Sequence, residues 1–208
     1  MRPWVLLRQA GIAFDEIQLW FDQNAHATGI ERYSPTGLVP VLLVDGAPVW
    51  DSLAICETIA ETFPEKRLWP RDAHSRQVAR SICAEMHAGF RDLRAAMPVN
   101  IRARHPGKGM NSAVRTDIDR VVAIWEFCRE RFGRNGPMLF GDFGIADAYY
   151  APVVMRFVTY AVELPALSRA YADAVRELPA VKEWVAAARQ ETAFVAADEP
   201  YADVKREG

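Results

Sequence analysis

Residues 39–56 read Val39-Pro40-Val41-Leu42-Leu43-Val44-Asp45-Gly46-Ala47-Pro48-Val49-Trp50-Asp51-Ser52-Leu53-Ala54-Ile55-Cys56. Val41–Val44 is an unbroken apolar run, the pattern of a buried strand. Asp45-Gly46 is a hairpin dipeptide, and Ala47-Pro48-Val49-Trp50 is the return strand. Leu53, Ala54 and Ile55 with Ile59 and Phe63 form one helical apolar face, and Asp51-Ser52 stands at its entry, where caps belong. Pro40 cannot donate to a sheet ladder. It either opens an edge strand in trans or is held cis by a tight turn. The turn Ser34-Pro35-Thr36-Gly37 before it and the strand after it lead us to expect cis. That geometry turns the N–H and C=O of Val39 outward, free to pair with an extended peptide. Ser52 at a helix start can receive an anion, and Asp51 beside it an ammonium group. Together they suit an amino-acid zwitterion, although an ordinary N-cap explains them too.

Outward from this stretch, Pro3–Gly11 reads as a short helix, with Pro near its start and Gly past its end. Ala13–Leu19 reads as a strand, best over Phe14–Leu19, and a looser helical stretch covers about residues 23–33. A linker follows at Pro64–Pro70. The second half is helical throughout: about 72–98, 112–133, 145–161, 166–176 and 179–191, punctuated by Pro and Gly. Two domains result, residues 1–68 and 72–208, the latter ending in a polar tail from Asp198 to Gly208.

With 208 residues, half of them hydrophobic and a quarter charged, the chain has globular composition. A net charge of -2 lacks the basic excess of a nucleic-acid reader. No run approaches a membrane span, and the stretch from Met1-Arg2-Pro3-Trp4 shows no signal-peptide apolar core with a small-residue cleavage site. Cys56, Cys83 and Cys128 are scattered, as are the four histidines, so neither a disulfide framework nor a metal site is expected, and a cytoplasmic location is.

Val39-Pro40, the hairpin, and Trp50-Asp51-Ser52-Leu53-Ala54-Ile55 before a helix resemble the N-terminal domain of cytosolic, bacterial-type glutathione S-transferases. Leu68-Trp69-Pro70, the helical second half, and Phe140-Gly141-Asp142-Phe143-Gly144-Ile145-Ala146-Asp147-Ala148 extend the resemblance from Arg2 to about Glu191. The resemblance implies an α/β thioredoxin-like N-terminal domain and an all-α C-terminal bundle. It implies glutathione as co-substrate. Val39 before cis Pro40 would hold the cysteinyl backbone, and Asp51 and Ser52 the γ-glutamyl end. Asp147 would satisfy first-turn N–H groups of a buried helix.

Three departures stand out. Gly144 replaces the family's Ser or Thr cap. Leu38 replaces a polar residue that touches glutathione in many relatives. The chain also opens at the helix Arg2-Pro3-Trp4, past the family's first strand and thiol-activating turn, so no residue is assigned as catalytic. The first strand is expected to be absent, leaving three strands around a gap, and natural N-terminal residues to be missing.

Met86, Phe90 and Arg94 are candidates for an acceptor pocket. Helix packing explains Phe90 equally well, whereas Arg94 in an apolar stripe calls for an anionic partner. His87 reads as a surface or interhelical histidine, Cys56 as a packed thiol, and Arg156 as a polar anchor. The function implied is a detoxifying transferase in which the glutathione thiolate attacks a hydrophobic electrophile, working as a homodimer. A glutathione-dependent isomerase or lyase, favoured by an anionic pocket around Arg94, and a non-catalytic binding protein are the alternatives.

Overall fold

The computed structural model describes residues 1–22 and 26–202. Helix α1 (Arg2–Gln9) carries Pro3 in its first turn, where no intrahelical partner awaits an N–H, and buries Val5, Leu6 and Leu7. Strands β1 (Leu42–Val44) and β2 (Ala47–Val49) pair antiparallel, Leu42 opposite Val49 and Val44 opposite Ala47. Asp45 and Gly46 between them both take positive φ, 50° and 83°, the backbone of a tight hairpin. Helix α2 (Ser52–Thr62) follows; Ile55 and Ile59 of the expected apolar face are buried with Cys56, whereas Ala54 is exposed.

The strand expected at Phe14–Leu19 does not form. Among the described residues these join no ladder, and the sheet has two strands rather than three. A strand is made by its neighbours, and β1 finds one in β2 alone. The segment is held by side chains instead. Trp4 Nε1 donates to Glu16 Oε2 at 3.0 Å, and the Phe14 ring meets Trp4 edge-on at 6.5 Å. Of the helical stretch expected at 23–33, residues 23–25 lie outside the described residues, and only a 3₁₀ turn at Ile30–Arg32 is formed beyond them. The end of the polar tail, 203–208, also lies outside the described residues.

The helix expected over 72–98 is two helices, α3 (Ala73–Ala88) and α4 (Arg91–Ala96). Gly89 is extended and Phe90 takes a left-handed φ of 57°, so the chain turns between them. Helices α5 (Ser112–Phe132), α6 (Ile145–Tyr160), α7 (Ala166–Glu177) and α8 (Pro179–Gln190) complete the bundle. α6 is its axis and is buried almost all round. α1, α3 and α7 pack on it, and Trp125 of α5 meets Tyr150 edge-on at 6.0 Å.

The entry to α6 explains one departure in the sequence. Gly144 caps it without a side chain, and a Cβ there would lie 2.7 Å from the Leu68 carbonyl oxygen. That oxygen accepts the Ile145 N–H at 3.0 Å, pinning the linker to the helix. Glycine is present because the linker backbone comes too close for any side chain. Asp147 compensates: its carboxylate accepts the N–H of Gly144 at 2.9 Å and of Leu139 at 3.0 Å.

Candidate functional site

The β1–β2 register sets the two chain segments leaving the hairpin side by side, one at Val41 and the other at Trp50. Pro40 and Asp51 each lie two residues beyond the Leu42–Val49 pair, on the rim at that end of the hairpin. The Val39–Pro40 bond is cis, as expected, and so is Trp50–Asp51. Among the described residues neither backbone group of Val39 is engaged in a hydrogen bond, and Val39 is 46% exposed. Leu38 beside it is 69% exposed.

Asp51 is the N-cap of α2. Its Oδ1 accepts the Leu53 N–H at 3.1 Å, and its Oδ2 lies 3.0 Å from His87 Nε2 on α3. The carboxylate is still half in solvent. Ser52 is buried, and its hydroxyl lies 2.9 Å from the Tyr149 hydroxyl on α6. Tyr149 in turn accepts from Arg2: Nε donates to the Tyr149 carbonyl at 3.3 Å, and the guanidinium sits 4.7 Å above the ring. Burial raises the Tyr149 hydroxyl above its ordinary value and lowers Arg2. Tyr149, Arg2 and His87 are the residues sequence reading did not assign to this rim. Their partners are 147, 97 and 36 positions away, beyond any local pattern.

The expected acceptor pocket is rearranged. Met86 and Phe90 are core side chains, packed among the helices, and neither lines the arginine cleft described next. The turn at Gly89–Phe90 is the reason, since it ends α3 and points Phe90 inward. Arg94 does line one. An open cleft of about 620 Å³ is walled by Arg91, Arg94, Pro98, Val99 and Arg156, with Asp198 at its edge. Arg156 Nε donates to the Met97 carbonyl at 2.8 Å. Desolvation, with Arg2 and Arg94 nearby, pulls Arg156 down to about 10, so it stays charged at neutral pH. It is the sole cation in the sequence of α6, the signal that could have marked it. Arg94 Nη1 also donates to the His87 carbonyl at 3.1 Å, so His87 bridges the Asp51 rim and the arginine cleft.

The thiols are elsewhere. Cys56, Cys83 and Cys128 are buried, and burial pushes Cys56 and Cys128 up to about 12 and Cys83 well above the ordinary thiol value. Among the described residues no group of three or more His, Cys, Asp or Glu is placed to hold a metal ion, and no helix is long and apolar enough to cross a membrane.

Comparison with known proteins agrees with this architecture. Residues 1–62 match the family of glutathione S-transferase N-terminal domains and residues 111–187 that of the C-terminal domains. A glutathione transferase homolog from Burkholderia, solved with bound glutathione, superposes with a TM-score of 0.69 at 21% identity over 91% of each chain. A theta class enzyme from Xanthomonas axonopodis pv. citri, also with glutathione bound, superposes at 0.63 with 19% identity, over 88% of this chain and 90% of the other. A probable maleylacetoacetate isomerase of Caenorhabditis elegans is 26% identical over 60% of this chain and 58% of its own. The Rattus norvegicus maleylacetoacetate isomerase is 38% identical over 30% of this chain and 29% of its own. The chain thus matches less than two thirds of the length of either relative. With both domains matched in order and the fold shared over 91% of the chain, the chain belongs to the cytosolic-type glutathione S-transferase family.

Proposed function

We propose that this chain is a glutathione-dependent enzyme whose second substrate carries a negative charge. The observation behind this reading is the cleft of Arg91, Arg94 and Arg156, three cations facing one acid, Asp198. A purely hydrophobic electrophile makes no use of them, whereas a carboxylate accepts paired hydrogen bonds from guanidinium groups. Glutathione lies along the neighbouring rim. Its cysteinyl backbone pairs with the unengaged N–H and C=O of Val39 beside Pro40. Its ammonium sits on Asp51, and its γ-glutamyl carboxylate accepts a hydrogen bond from the Ser52 hydroxyl, with Tyr149 donating to Ser52 from behind.

On this reading the glutathione thiolate adds to a carbon–carbon double bond conjugated with the acceptor's carboxyl or carbonyl group. The sulfur–carbon bond forms as the π pair moves onto that group, whose charge the arginines stabilise. Rotation about the now single bond and expulsion of the thiolate give the isomer, and protonation instead gives the conjugate. The resemblance of the relatives named maleylacetoacetate isomerase favours the first outcome. No residue is assigned to activate the thiol. The homodimer and the cytoplasmic, detoxifying role rest on the family resemblance.

The test compares a cis-dienoic acid with an aryl halide as second substrates. Turnover of the acid, with its KM raised about tenfold by Arg94→Gln, supports the reading. Turnover of the aryl halide alone, indifferent to Arg94→Gln, returns the chain to conjugation of neutral electrophiles. Glutathione binding with turnover of neither marks a binding protein.

A further inference from the structure

The two carboxylate oxygens of Asp51 are held from different parts of the molecule. Oδ1 accepts the Leu53 N–H at 3.1 Å, and Oδ2 lies 3.0 Å from His87 Nε2. The first contact is local, the cap of α2, two residues along the chain. The second comes from the last turn of α3, on the helical half of the protein. A carboxylate offers about four lone-pair sites. Two protein contacts therefore leave room for a ligand ammonium, and the Asp51 side chain is 53% exposed and open to one.

His87 is itself fixed. Its Nδ1 is shut off from solvent, and among the described residues it has no hydrogen-bond partner. A proton there would be an orphaned buried donor, so the neutral ring carries its proton on Nε2, the nitrogen facing Asp51. The His87 carbonyl accepts from Arg94 Nη1 at 3.1 Å. That bond uses the backbone of His87, so a change of its side chain leaves the arginine in place.

A solvent-exposed ion pair contributes little to stability and has no preference among ligands. The pair of His87 and Asp51 differs in where it sits. Its carboxylate belongs to the rim assigned above to the γ-glutamyl end of glutathione. With the cap bond alone, that carboxylate swings about one fixed oxygen. With the imidazole on the other oxygen it is ordered before the ligand arrives, and the ligand is spared the entropy of ordering it.

We propose that His87 is the positioning residue for the glutathione ammonium: it holds Asp51 so that the site selects a γ-glutamyl group carrying its free amine. This rests on the assignment of Asp51 to that ammonium in the proposed function.

The probes are glutathione and glutaryl-cysteinylglycine, the same peptide without the amine, titrated calorimetrically against the whole chain. The parent is expected to bind glutathione more tightly than the analogue. His87→Ala should weaken glutathione about fivefold and leave the affinity for the analogue unchanged. A merely structural loss would weaken both alike. His87→Gln, whose amide also presents an N–H, should recover most of the loss. In an Asp51→Asn background, His87→Ala should have no further effect, because the residue it acts through is gone. His87 is partly exposed, and unchanged melting curves verify that the variants fold. The proposal is overturned if His87→Ala binds glutathione as the parent does, if it weakens both peptides equally, or if it weakens glutathione further in the Asp51→Asn background. Loss of affinity in Asp51→Asn with none in His87→Ala removes this proposal alone. Unchanged glutathione affinity in Asp51→Asn removes the assignment of Asp51 with it. Failure of the proposed acceptor chemistry leaves all of these readouts intact.

Discussion

The Ser52 hydroxyl lies 2.9 Å from the Tyr149 hydroxyl, inside the protein, and joins the first turn of α2 to the central helix α6. A residue placed by sequence at a ligand-binding rim is therefore also a tie between the two halves of the chain. The hydroxyl has one proton and two lone pairs. If Tyr149 donates to Ser52, the Ser52 proton is left for an anion at the rim.

This pair is expected to be coupled. Ser52→Ala strands a buried tyrosine hydroxyl and should cost about 1–3 kcal/mol in urea unfolding. Tyr149→Phe removes the stranded group. The double variant should therefore be less destabilised than the sum of the single ones. Strict additivity would show that the 2.9 Å contact contributes nothing in solution.

At Gly144, substitution by serine should destabilise although serine is the better cap in isolation. The new Cβ would lie 2.7 Å from the Leu68 carbonyl oxygen, whose bond to Ile145 N–H must then shift. A loss of about 1–3 kcal/mol, read from thermal melting, is expected for crowding of this kind. A rise in melting temperature would mean that the linker moves aside at no cost.

Asp147 gives a pH signature. Burial outweighs its backbone hydrogen bonds and pushes the carboxyl up to about 6. In the unfolded chain it titrates near 3.9. Between these values the folded state holds a proton that the unfolded state has released. The stabilising contribution is complete below about pH 4 and is lost as pH rises through about 6. The stability gap between the parent and Asp147→Asn should therefore narrow from pH 4 to pH 7. A gap that widens over that range would show that the native carboxyl titrates below its unfolded value.

The three thiols should be silent in the folded protein. Each is buried and raised above the ordinary thiol value. A disulfide-exchange reagent at pH 8 should find no fast-reacting cysteine in native protein and all three in guanidinium chloride. Rapid native reaction of Cys56 would reopen it as a nucleophile beside Ser52.

Local pattern was enough for the hairpin, for α1, α2 and α5 to α8, and for the cap of α2. Asp45-Gly46 specifies a tight turn, apolar spacing marks the buried face of α2, and Asp51 accepts a first-turn N–H group of α2. These depend on residues within about one helical turn of each other, so the order of residues carries them. Phe14–Leu19 has the alternation of a strand yet forms no ladder, because a strand exists only where another backbone is beside it. Met86 and Phe90 looked like pocket residues and became core, because the turn at Gly89–Phe90 reorients the helix. The arginine cleft and the Ser52–Tyr149 tie each join side chains that are far apart in the chain. Their chemistry depends on distance and burial, and packing of α6 against the rest supplies both.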